Sequence, residues 1–538
     1  MQGGRGIAID RDAPHVSTRA GATALRAVGR RRTGLASRRV AGSPRGGFWR
    51  CVRSFDAAAV ATLSAAAAAL YIVFALGEHR HFFTSAYDLG IFDQAVRSYA
   101  HLGAPVSLIK GVHNNFGTHF SVLGDHFSPI LALLAPFYRV FPHVQTLLIA
   151  QGVLFAASIP SVWLFTRRNL GKAPAYLIAV AYALSWSLQT ALSNDFHEIA
   201  FAVPLLAVAI ERLDAGKLRT AIVAALLLLL VKEDLGVVVA AFGVVIALRT
   251  KRWRTGAILA VGGLVAAFVE TRLLIPAAGG RSGYYWTYYA DLGSSPLSAV
   301  WHVIRHPLST WHFATSPEAK ARLLKWLFLP LGLASLGSSF VLLAIPPIAE
   351  VVLSSNPYDW PLDSHYTAVV APILTMAAVD TVAKLRRVIA GAPAVAMARR
   401  TQRRRSRAGW VLGASWATVV VVIAVWGCGR MPFDQMTKSW WSKTSTFEQA
   451  ENAAVAAVPS GATVEVSDHL APHLTDRANV MLLDTKPHNA SWVVIDEGYV
   501  DWPLTPAEQQ ARVSWLGSHG YQVVFARSQI VVYHREQQ

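Results

Sequence analysis

The chain has 538 residues, of which 53% are hydrophobic and only 15% are charged. A soluble globular chain normally carries about a quarter charged residues to cover its surface. The composition therefore excludes an ordinary soluble protein. The formal net charge of +18 would by itself also fit a nucleic-acid-binding protein, so its distribution along the chain has to be examined.

The positive charge is concentrated in two segments. Residues 1–53 contain twelve Arg and two Asp, a net charge of +10, and residues 384–407 contain nine Lys or Arg and no acid. Both segments flank apolar stretches, where Lys and Arg mark the cytoplasmic side of a membrane. No basic fold with interleaved aromatic residues accompanies them. The sequence predicts a multi-pass protein of the cell (plasma) membrane with no nucleic-acid partner.

Apolar stretches long enough to cross ~30 Å of hydrocarbon recur along the chain. We predict about eleven transmembrane helices, at residues 57–77, 144–166, 172–190, 197–212, 219–232, 234–248, 256–276, 323–337, 339–354, 366–383 and 409–427. The positive-inside rule places the N-terminus in the cytoplasm and, with an odd number of spans, the C-terminal part outside it. The fold class is thus a polytopic α-helical membrane protein.

Three parts follow from this topology. They are a basic disordered cytoplasmic N-terminus (1–54), a transmembrane domain (55–430) with a large first external loop (78–143), and a small extracytoplasmic α/β domain (431–538). In the last part, strand-like runs at 463–466, 491–495, 521–525 and 529–533 accompany helices near 446–457 and 505–518. A second loop, 277–322, is rich in Tyr and Trp, which suit either the lipid headgroup level or sugar stacking.

Two carboxylates follow the first predicted span, in Tyr87-Asp88-Leu89-Gly90-Ile91-Phe92-Asp93-Gln94. A carboxylate at the outer end of a helix can act as a general base on a hydroxyl or hold a metal ion. The alternative is an interfacial helix with solvated acids. Five residues apart on a helix, the two side chains point ~140° from each other. Asp88, nearer the span, is therefore the first catalytic candidate and Asp93 the second.

His119 and His126 are seven residues apart, with Asp125 between them. On a helix, positions i and i+7 share a face, so the two imidazoles are predicted to converge. Imidazole and carboxylate suit a divalent metal or a phosphate-facing site, whereas hydrogen bonding within a loop is the alternative. The candidate metal ligands are Asp88, His119 and His126. A divalent metal is the candidate cofactor, and the cofactor is otherwise unassigned.

More charged residues gather where predicted spans end outside. Asp195, His197 and Glu198 lie between the third and fourth spans, and Asp195 and Glu198 are predicted to share a helix face. Lys232 and Glu233 occupy the next external turn. Such groups are often only solvated or snorkelling caps. Three acidic clusters on one side nevertheless exceed what topology requires, because acids do not set the orientation of the chain.

The order of these motifs resembles a bacterial membrane family, domain-of-unknown-function family 2079. The motifs are Tyr87 to Gln94, His126-Phe127-Ser128-Pro129, Asp195-Phe196-His197-Glu198, Lys232-Glu233-Asp234 and His365-Tyr366. The resemblance covers roughly residues 55–535. That family is in turn similar to the glycosyltransferase C superfold, whose enzymes pass a sugar from a polyprenyl-phosphate carrier to an acceptor outside the cytoplasm.

The resemblance implies a glycosyltransferase at the outer leaflet, with membrane lipid and a polyprenyl-phosphate sugar donor as partners. The superfold's acidic residue in the first external loop falls on Asp88 or Asp93, although the double-acid motif of its better-studied branches is absent at 88–93. Lys232 would neutralise the carrier phosphate, because a glycosyl phosphate leaves more easily when a cation meets its growing negative charge. The substrate cavity would be lined by Asp125, His126, Asp195, His197, Glu198, Lys232, Glu233 and His365.

Two alternatives from other classes remain. A transporter or lipid flippase would place polar sites near the midplane of the bilayer, and Glu350, inside the ninth predicted span beside Pro346 and Pro347, is the residue that favours it. An ionisable residue within a membrane span is a functional candidate by default. A non-catalytic scaffold for the cell envelope is the third alternative.

Overall fold

The computed structural model describes the backbone of residues 44–390 and 399–536 and the side chains of residues 55–390 and 407–536. The predicted disorder of the N-terminus falls largely outside the described residues. The α-helices are α1 (Pro44–Arg80), α2 (Ile91–Ala100), α3 (Leu108–His113), α4 (Ala135–Val140), α5 (Gln145–Leu170), α6 (Lys172–Ala183), α7 (Trp186–Ser193), α8 (Ala202–Asp214), α9 (Leu218–Leu226), α10 (Leu235–Thr250), α11 (Trp253–Val269), α12 (Ile275–Ala277), α13 (Pro296–Arg305), α14 (Pro307–Thr315), α15 (Glu318–Phe328), α16 (Ile345–Val352), α17 (Val370–Ala390), α18 (Arg399–Cys428), α19 (Thr446–Ala457) and α20 (Pro506–Ser518).

Within the described residues, six helical segments are long and apolar enough to cross a membrane. They are Phe55–Arg80, Gln145–Leu170, Lys172–Ser193, Trp253–Ala277, His365–Ala390 and Arg407–Cys428. Each coincides with a predicted span, so these six apolar helices are confirmed. The predicted spans 219–232 and 234–248 correspond to shorter apolar helices, Leu218–Leu230 and Leu235–Thr250. The total of eleven spans remains a prediction.

The predicted spans at 323–337 and 339–354 do not form continuous helices. Helix α15 ends at Phe328, and short 3₁₀ turns follow before α16 begins at Ile345. Pro330 cannot donate a helical hydrogen bond, and Gly332 adopts a left-handed backbone angle of φ +65°, which together end the helix. The predicted span at 197–212 also begins differently, with a 3₁₀ turn at Glu198–Phe201 before α8.

Helices α10 and α11 pack closely through glycines. A Cβ on Gly243 would lie 2.5 Å from backbone atoms of α11, and a Cβ on Gly263 would lie 2.5 Å from the carbonyl oxygen of Gly236. Small residues allow helix backbones to approach in this way within a membrane. The packing fixes α10, whose N-terminal end follows Lys232, Glu233 and Asp234.

The aromatic loop contains two short helices, α13 and α14. Leu297, Val300, Trp301 and Ile304 are more than half exposed and recur at three- to four-residue spacing, so α13 has one apolar face that the described residues leave uncovered. Arg305 lies over the Trp301 ring, with its guanidinium carbon 4.5 Å from the ring centre. An apolar face with a basic rim is typical of a helix at a membrane interface. This favours the headgroup interpretation of the aromatic residues.

The C-terminal part contains a five-stranded sheet. Its strands are β1 (Thr463–Val466), β2 (Asn479–Leu482), β3 (Trp492–Asp496), β4 (Gln522–Arg527) and β5 (Ile530–His534), in the order β2-β1-β3-β5-β4. Strand β1 pairs in parallel with β2 and β3, whereas β5 is antiparallel to β3 and β4. The four predicted strands and both predicted helices are confirmed, and β2 was not predicted.

The C-terminal sheet and the first external loop share one hydrophobic core. Ala86, Ile91 and Ile109 of the loop pack in the same buried cluster as Val464 and Leu470 of the C-terminal part. His473 also stacks between the rings of His79 and Phe82, with ring centres 4.1 and 3.9 Å away. Residues Asp56–Gln538 accordingly form one compact unit. A separate domain at 431–538 therefore remains a prediction, with its inner surface packed against the loop that carries Asp88.

Candidate functional site

Asp88 lies on a short π-helical turn between α1 and α2. The turn spans Ala86–Gly90, and Ser85 caps its N-terminus by accepting a hydrogen bond from the Asp88 backbone N–H (3.3 Å). Asp195 holds the cap, because its Oδ2 accepts from the Ser85 backbone N–H (2.8 Å) and hydroxyl (2.9 Å). The Asp88 side chain is 39% exposed. The turn thus presents one accessible carboxylate from a fixed backbone.

A row of polar side chains leads away from Asp88. The Nε2 atom of His197 lies 3.4 Å from the Asp88 carboxylate, and the His197 ring stacks on His365 with a 3.4 Å separation of ring centres. Tyr366 lies next to His365, and the Lys232 ammonium is 5.8 Å from the Tyr366 ring centre. We call these five residues the polar row. The structure therefore brings together four predicted site residues that are distant in sequence.

The Lys232 end of the polar row is rich in carboxylates. The Lys232 ammonium lies 3.3 Å from Asp234, and the charges of Glu350, Glu198 and Glu233 also act on it. Two carboxylate oxygens here, Oε2 of Glu198 and Oδ1 of Asp234, are buried without a hydrogen-bond partner among the described residues. Buried polar atoms are normally paired. Unpaired ones in such a group are what a ligand or water would satisfy.

Asp125 and His126 form one wall beside this row. Lys110 forms an ion pair with Asp125 (2.9 Å), and the Tyr285 hydroxyl donates to the same carboxylate (2.5 Å). His126 pairs with Glu233 through a 2.8 Å contact. Burial opposes charging of His126, but the Glu233 carboxylate outweighs it, so the pKa of His126 lies above its ordinary value. The wall therefore offers an imidazole whose protonated form is favoured by the neighbouring Glu233 carboxylate.

Two buried carboxyls next to Asp88 have strongly raised pKa values. Burial raises the pKa of Asp195 well above its ordinary value, and the charge of Asp88 raises it further. Burial likewise raises the pKa of Asp468, with Asp501 and Asp88 adding to the effect. Like charges in one place disfavour ionisation, so these two carboxyls are harder to ionise than an ordinary aspartate. The accessible Asp88 is then the carboxylate of this group that faces the polar row.

Asp93 is not part of the polar row. Its carboxylate is fully buried and accepts hydrogen bonds from the Arg97 guanidinium (3.0 and 3.1 Å) and the Tyr138 hydroxyl (2.9 Å). A carboxylate occupied in this way stabilises the fold. The predicted divergence of Asp88 and Asp93 is thus found, and a catalytic role for Asp93 has no geometric support here.

The predicted convergence of His119 and His126 on one helix face is wrong. Residues 119–126 do not form a helix, because Ser121 pairs with Val106 in an isolated β-bridge and only a 3₁₀ turn at Val122–Gly124 follows. His119 is exposed at this position. The shared helix face of Asp195 and Glu198 is also wrong, since α7 ends at Ser193 and Asp195 itself has φ +60°.

Asp88, His119 and His126 are the metal ligands predicted from the sequence. Within residues 55–390 and 407–536, no three His, Cys, Asp or Glu side chains are grouped so that they could hold a metal ion. The candidate ligands Asp88 and His126 have other partners, namely His197 and Glu233. The residues present therefore do not fit a metal centre, and we assign no metal ligands.

Sequence reasoning missed several residues of the site. Ser85 could have been found, because Ser followed three residues later by an acid is a helix-capping signal. Glu350 was associated with the transporter alternative, yet its charge acts on Lys232 at the end of the polar row. Asp468 lies 380 residues from Asp88 and has no local signal. Its contact with the turn follows only from the folded C-terminal sheet.

This chain is similar to solved crystal structures of another protein, at low sequence identity. It is similar to the crystal structure of ArnT from Cupriavidus metallidurans bound to undecaprenyl phosphate, with 13% identity over 89% of this chain and 99% of that one and a TM-score of 0.49. It is also similar to the apo-state structure of the same ArnT, with 14% identity over 90% and 100% of the two chains and a TM-score of 0.44.

No curated protein sequence matches the chain. One family model does, over residues 78–532, and its description is "Predicted membrane protein (DUF2079)". The match includes the whole polar row, strands β1 to β4 of the C-terminal sheet and the first three residues of β5. The chain is a membrane protein that belongs to the DUF2079 family.

Proposed function

We propose that this protein transfers a sugar from a polyprenyl-phosphate carrier to an acceptor hydroxyl at the outer leaflet of the cell membrane. The observation that carries the proposal is the polar row: one accessible carboxylate, Asp88, is followed by stacked imidazoles and the Lys232 ammonium. A base at one end and the Lys232 ammonium at the other suit a reaction that removes a proton and releases a phosphate.

The proposed reaction gives each group a role. Asp88 accepts the proton of the acceptor hydroxyl while the acceptor oxygen forms a bond to the anomeric carbon of the sugar. The bond between that carbon and the carrier phosphate breaks, and the phosphate keeps the electron pair. Lys232 and protonated His126 stabilise the negative charge that develops there. His197 orients Asp88 through their 3.4 Å contact.

We also propose the orientation of the site. Arg167, Arg249 and Lys384 lie at the ends of α5, α10 and α17 that are remote from the polar row, and basic residues at span ends face the cytoplasm. The polar row and the C-terminal sheet then face outward. Labelling intact cells with an impermeant maleimide tests this. A cysteine at 363, in Asp363→Cys, should react without permeabilisation, and one at 252, in Arg252→Cys, only after it.

The carrier lipid is tested directly by mass spectrometry of the purified protein. We expect polyprenyl phosphate to copurify with the natural chain and to fall at least tenfold in Lys232→Met, because the phosphate loses its ammonium partner. Lys443→Met, which removes an exposed lysine, is the matched control and should retain the lipid. Equal lipid content in all three proteins would contradict the proposed role of Lys232.

The transporter alternative is retained because of Glu350. Its carboxylate acts on Lys232 and so belongs to the same group as the proposed site. Uptake into proteoliposomes that is lost in Glu350→Gln would support transport. The proposed transferase predicts sugar transfer to an acceptor present only outside the vesicle, with no accumulation inside.

A further inference from the structure

The turn that carries Asp88 is held from two sides. The backbone N–H of Ser85 donates to Asp195 (2.8 Å), which follows the third predicted span. The next two N–H groups, of Ala86 and Tyr87, donate to Asp468 Oδ1 (3.1 and 3.2 Å), and Ala86 also reaches the Asp468 carbonyl oxygen (3.0 Å). Backbone N–H groups at the start of a helical turn have no partner within it. Here the carboxyl groups of Asp195 and Asp468, from two distant segments, supply these hydrogen-bond partners.

Asp468 is itself fixed by the C-terminal sheet. It comes two residues after β1 ends, and the preceding Ser467 N–H donates to the Val494 carbonyl of β3 (3.0 Å). The following residue, His469, is bonded to Asp501 and lies 3.2 Å from Glu451 of α19. The position of Asp468 therefore depends on strands and a helix in the C-terminal part of the chain.

We propose that Asp468 is a positioning residue for Asp88, so that the C-terminal sheet is part of the transferase site rather than a movable cover. The inference rests on the proposed role of Asp88 as the base. Asp468 acts as a hydrogen-bond acceptor that holds the turn.

Residue-resolved hydrogen exchange on the full-length protein tests the contact without an activity assay. In Asp468→Ala, the Tyr87 amide should exchange at least tenfold faster, because its acceptor is the Asp468 side chain. The Ala86 amide keeps its bond to the main-chain carbonyl of residue 468, and it and the amides of β1 and β3 should stay protected. Asp468→Asn keeps an acceptor oxygen and should leave exchange within about threefold of the natural chain. Asp434→Asn, which alters an exposed acid before the sheet, is the control.

The proposal is overturned if Asp468→Ala leaves the Tyr87 amide exchanging as slowly as before, or if Asp468→Asn frees it as fully as Asp468→Ala does. If Asp468→Ala also exposes β1 and β3, the polar Asp468→Ser, whose side chain is too short for these contacts, replaces it and is judged by the same criteria.

Kinetics with polyprenyl-phosphate-linked hexoses separate positioning from folding. Asp468→Ala should lower kcat at least tenfold with the donor KM within twofold, and Asp468→Asn should restore it. If kcat is unchanged in a variant whose Tyr87 amide exchanges faster, the positioning role of Asp468 is overturned. If Asp88→Asn itself transfers at the full rate, the proposed function fails, while hydrogen exchange still decides whether Asp468 holds the turn.

Discussion

Buried acids are paired with cations to different extents at the two ends of the helix bundle. At the end remote from Asp88, the buried Asp380 accepts hydrogen bonds from Arg249 (2.9 Å) and Ser338 (2.7 Å) and forms an ion pair with Lys384 (2.9 Å). Nearby, Arg168 pairs with both Glu211 and Asp214. Each acid there has a cation.

At the Asp88 end, carboxylates outnumber cations. Glu198, Glu233, Asp234 and Glu350 share the Lys232 ammonium, and oxygens of Glu198 and Asp234 have no partner among residues 55–390 and 407–536. Buried charges that are fully paired act as structural elements, whereas unpaired ones cost stability. The end remote from Asp88 therefore anchors the helices, and the unpaired oxygens at the Asp88 end agree with the ligand site proposed there.

The largest effect is expected where a paired charge is broken at the anchoring end. Arg249→Met should lower the free energy of unfolding by about 3–5 kcal/mol, because it leaves the buried Asp380 with one cation fewer. Thermal unfolding in detergent measures this. Arg252→Met, at an exposed residue two positions past α10, is the control and should change stability by less than about 0.5 kcal/mol.

Substitution of the two acids in segment 78–143 should affect stability differently, because Asp93 is buried and hydrogen-bonded and Asp88 is accessible. Asp93→Asn should destabilise by about 1.5–3 kcal/mol, because the hydrogen bonds of a buried charged group are weakened. Asp88→Asn should leave unfolding within about 0.5 kcal/mol, since its side chain is accessible. Comparison of the two melting temperatures checks this. A larger loss in Asp88→Asn than in Asp93→Asn would contradict the roles assigned to them.

The C-terminal sheet should lose stability at high pH through His469. Burial opposes its charge, but hydrogen bonds to Asp501 and Glu451 raise its pKa to about 10. Because the pKa is raised in the folded state, protonated His469 stabilises the fold fully below about pH 6.5, its pKa in the unfolded chain. This contribution disappears as the pH rises toward 10. The loss is at most about 1.4 kcal/mol per pH unit.

His469→Gln provides the comparison. Its melting temperature should lie below that of the natural chain at pH 6, and the gap should narrow as the pH is raised to 10. A gap that stays constant over this range would show that His469 does not titrate with folding.

The smallest effect is expected at an unpaired acid of the Asp88 end. Glu198→Gln should raise stability by about 0.5–1 kcal/mol while lowering transfer, because functional sites commonly carry groups that destabilise the fold. Thermal unfolding and a transfer assay on the same preparation measure both quantities. Destabilisation by more than 1 kcal/mol would mean that Glu198 is a structural residue.

Much of this architecture could be predicted from hydrophobicity and charge. Six long apolar helices and four of five strands lie where the patterns indicated, because burial in lipid or in a sheet leaves a periodic signal. The broken segments at 323–354 were missed, since apolar composition alone does not reveal where Pro330 and Gly332 end a helix. Strand β2 is only four residues long, too short for a clear pattern.

The site was predictable in its residues but not in its geometry. The motifs identified Asp88, His197, Lys232 and His365, and the structure brings them into one row. Two arrangements failed, the shared helix faces of His119 with His126 and of Asp195 with Glu198. An isolated β-bridge at Ser121 interrupts the first segment and a positive backbone angle at Asp195 the second. The contact of Asp468 with the Asp88 turn is a product of tertiary folding and leaves no mark on the local sequence.

The most direct test of the proposed function is the rate of sugar transfer in proteoliposomes supplied with polyprenyl-phosphate-linked sugars. Asp88→Asn should lower this rate by about 10²–10⁴-fold, the usual contribution of a general base. Asp291→Asn, at an exposed acid of the aromatic loop, should transfer at the natural rate. Full activity in Asp88→Asn would contradict the account.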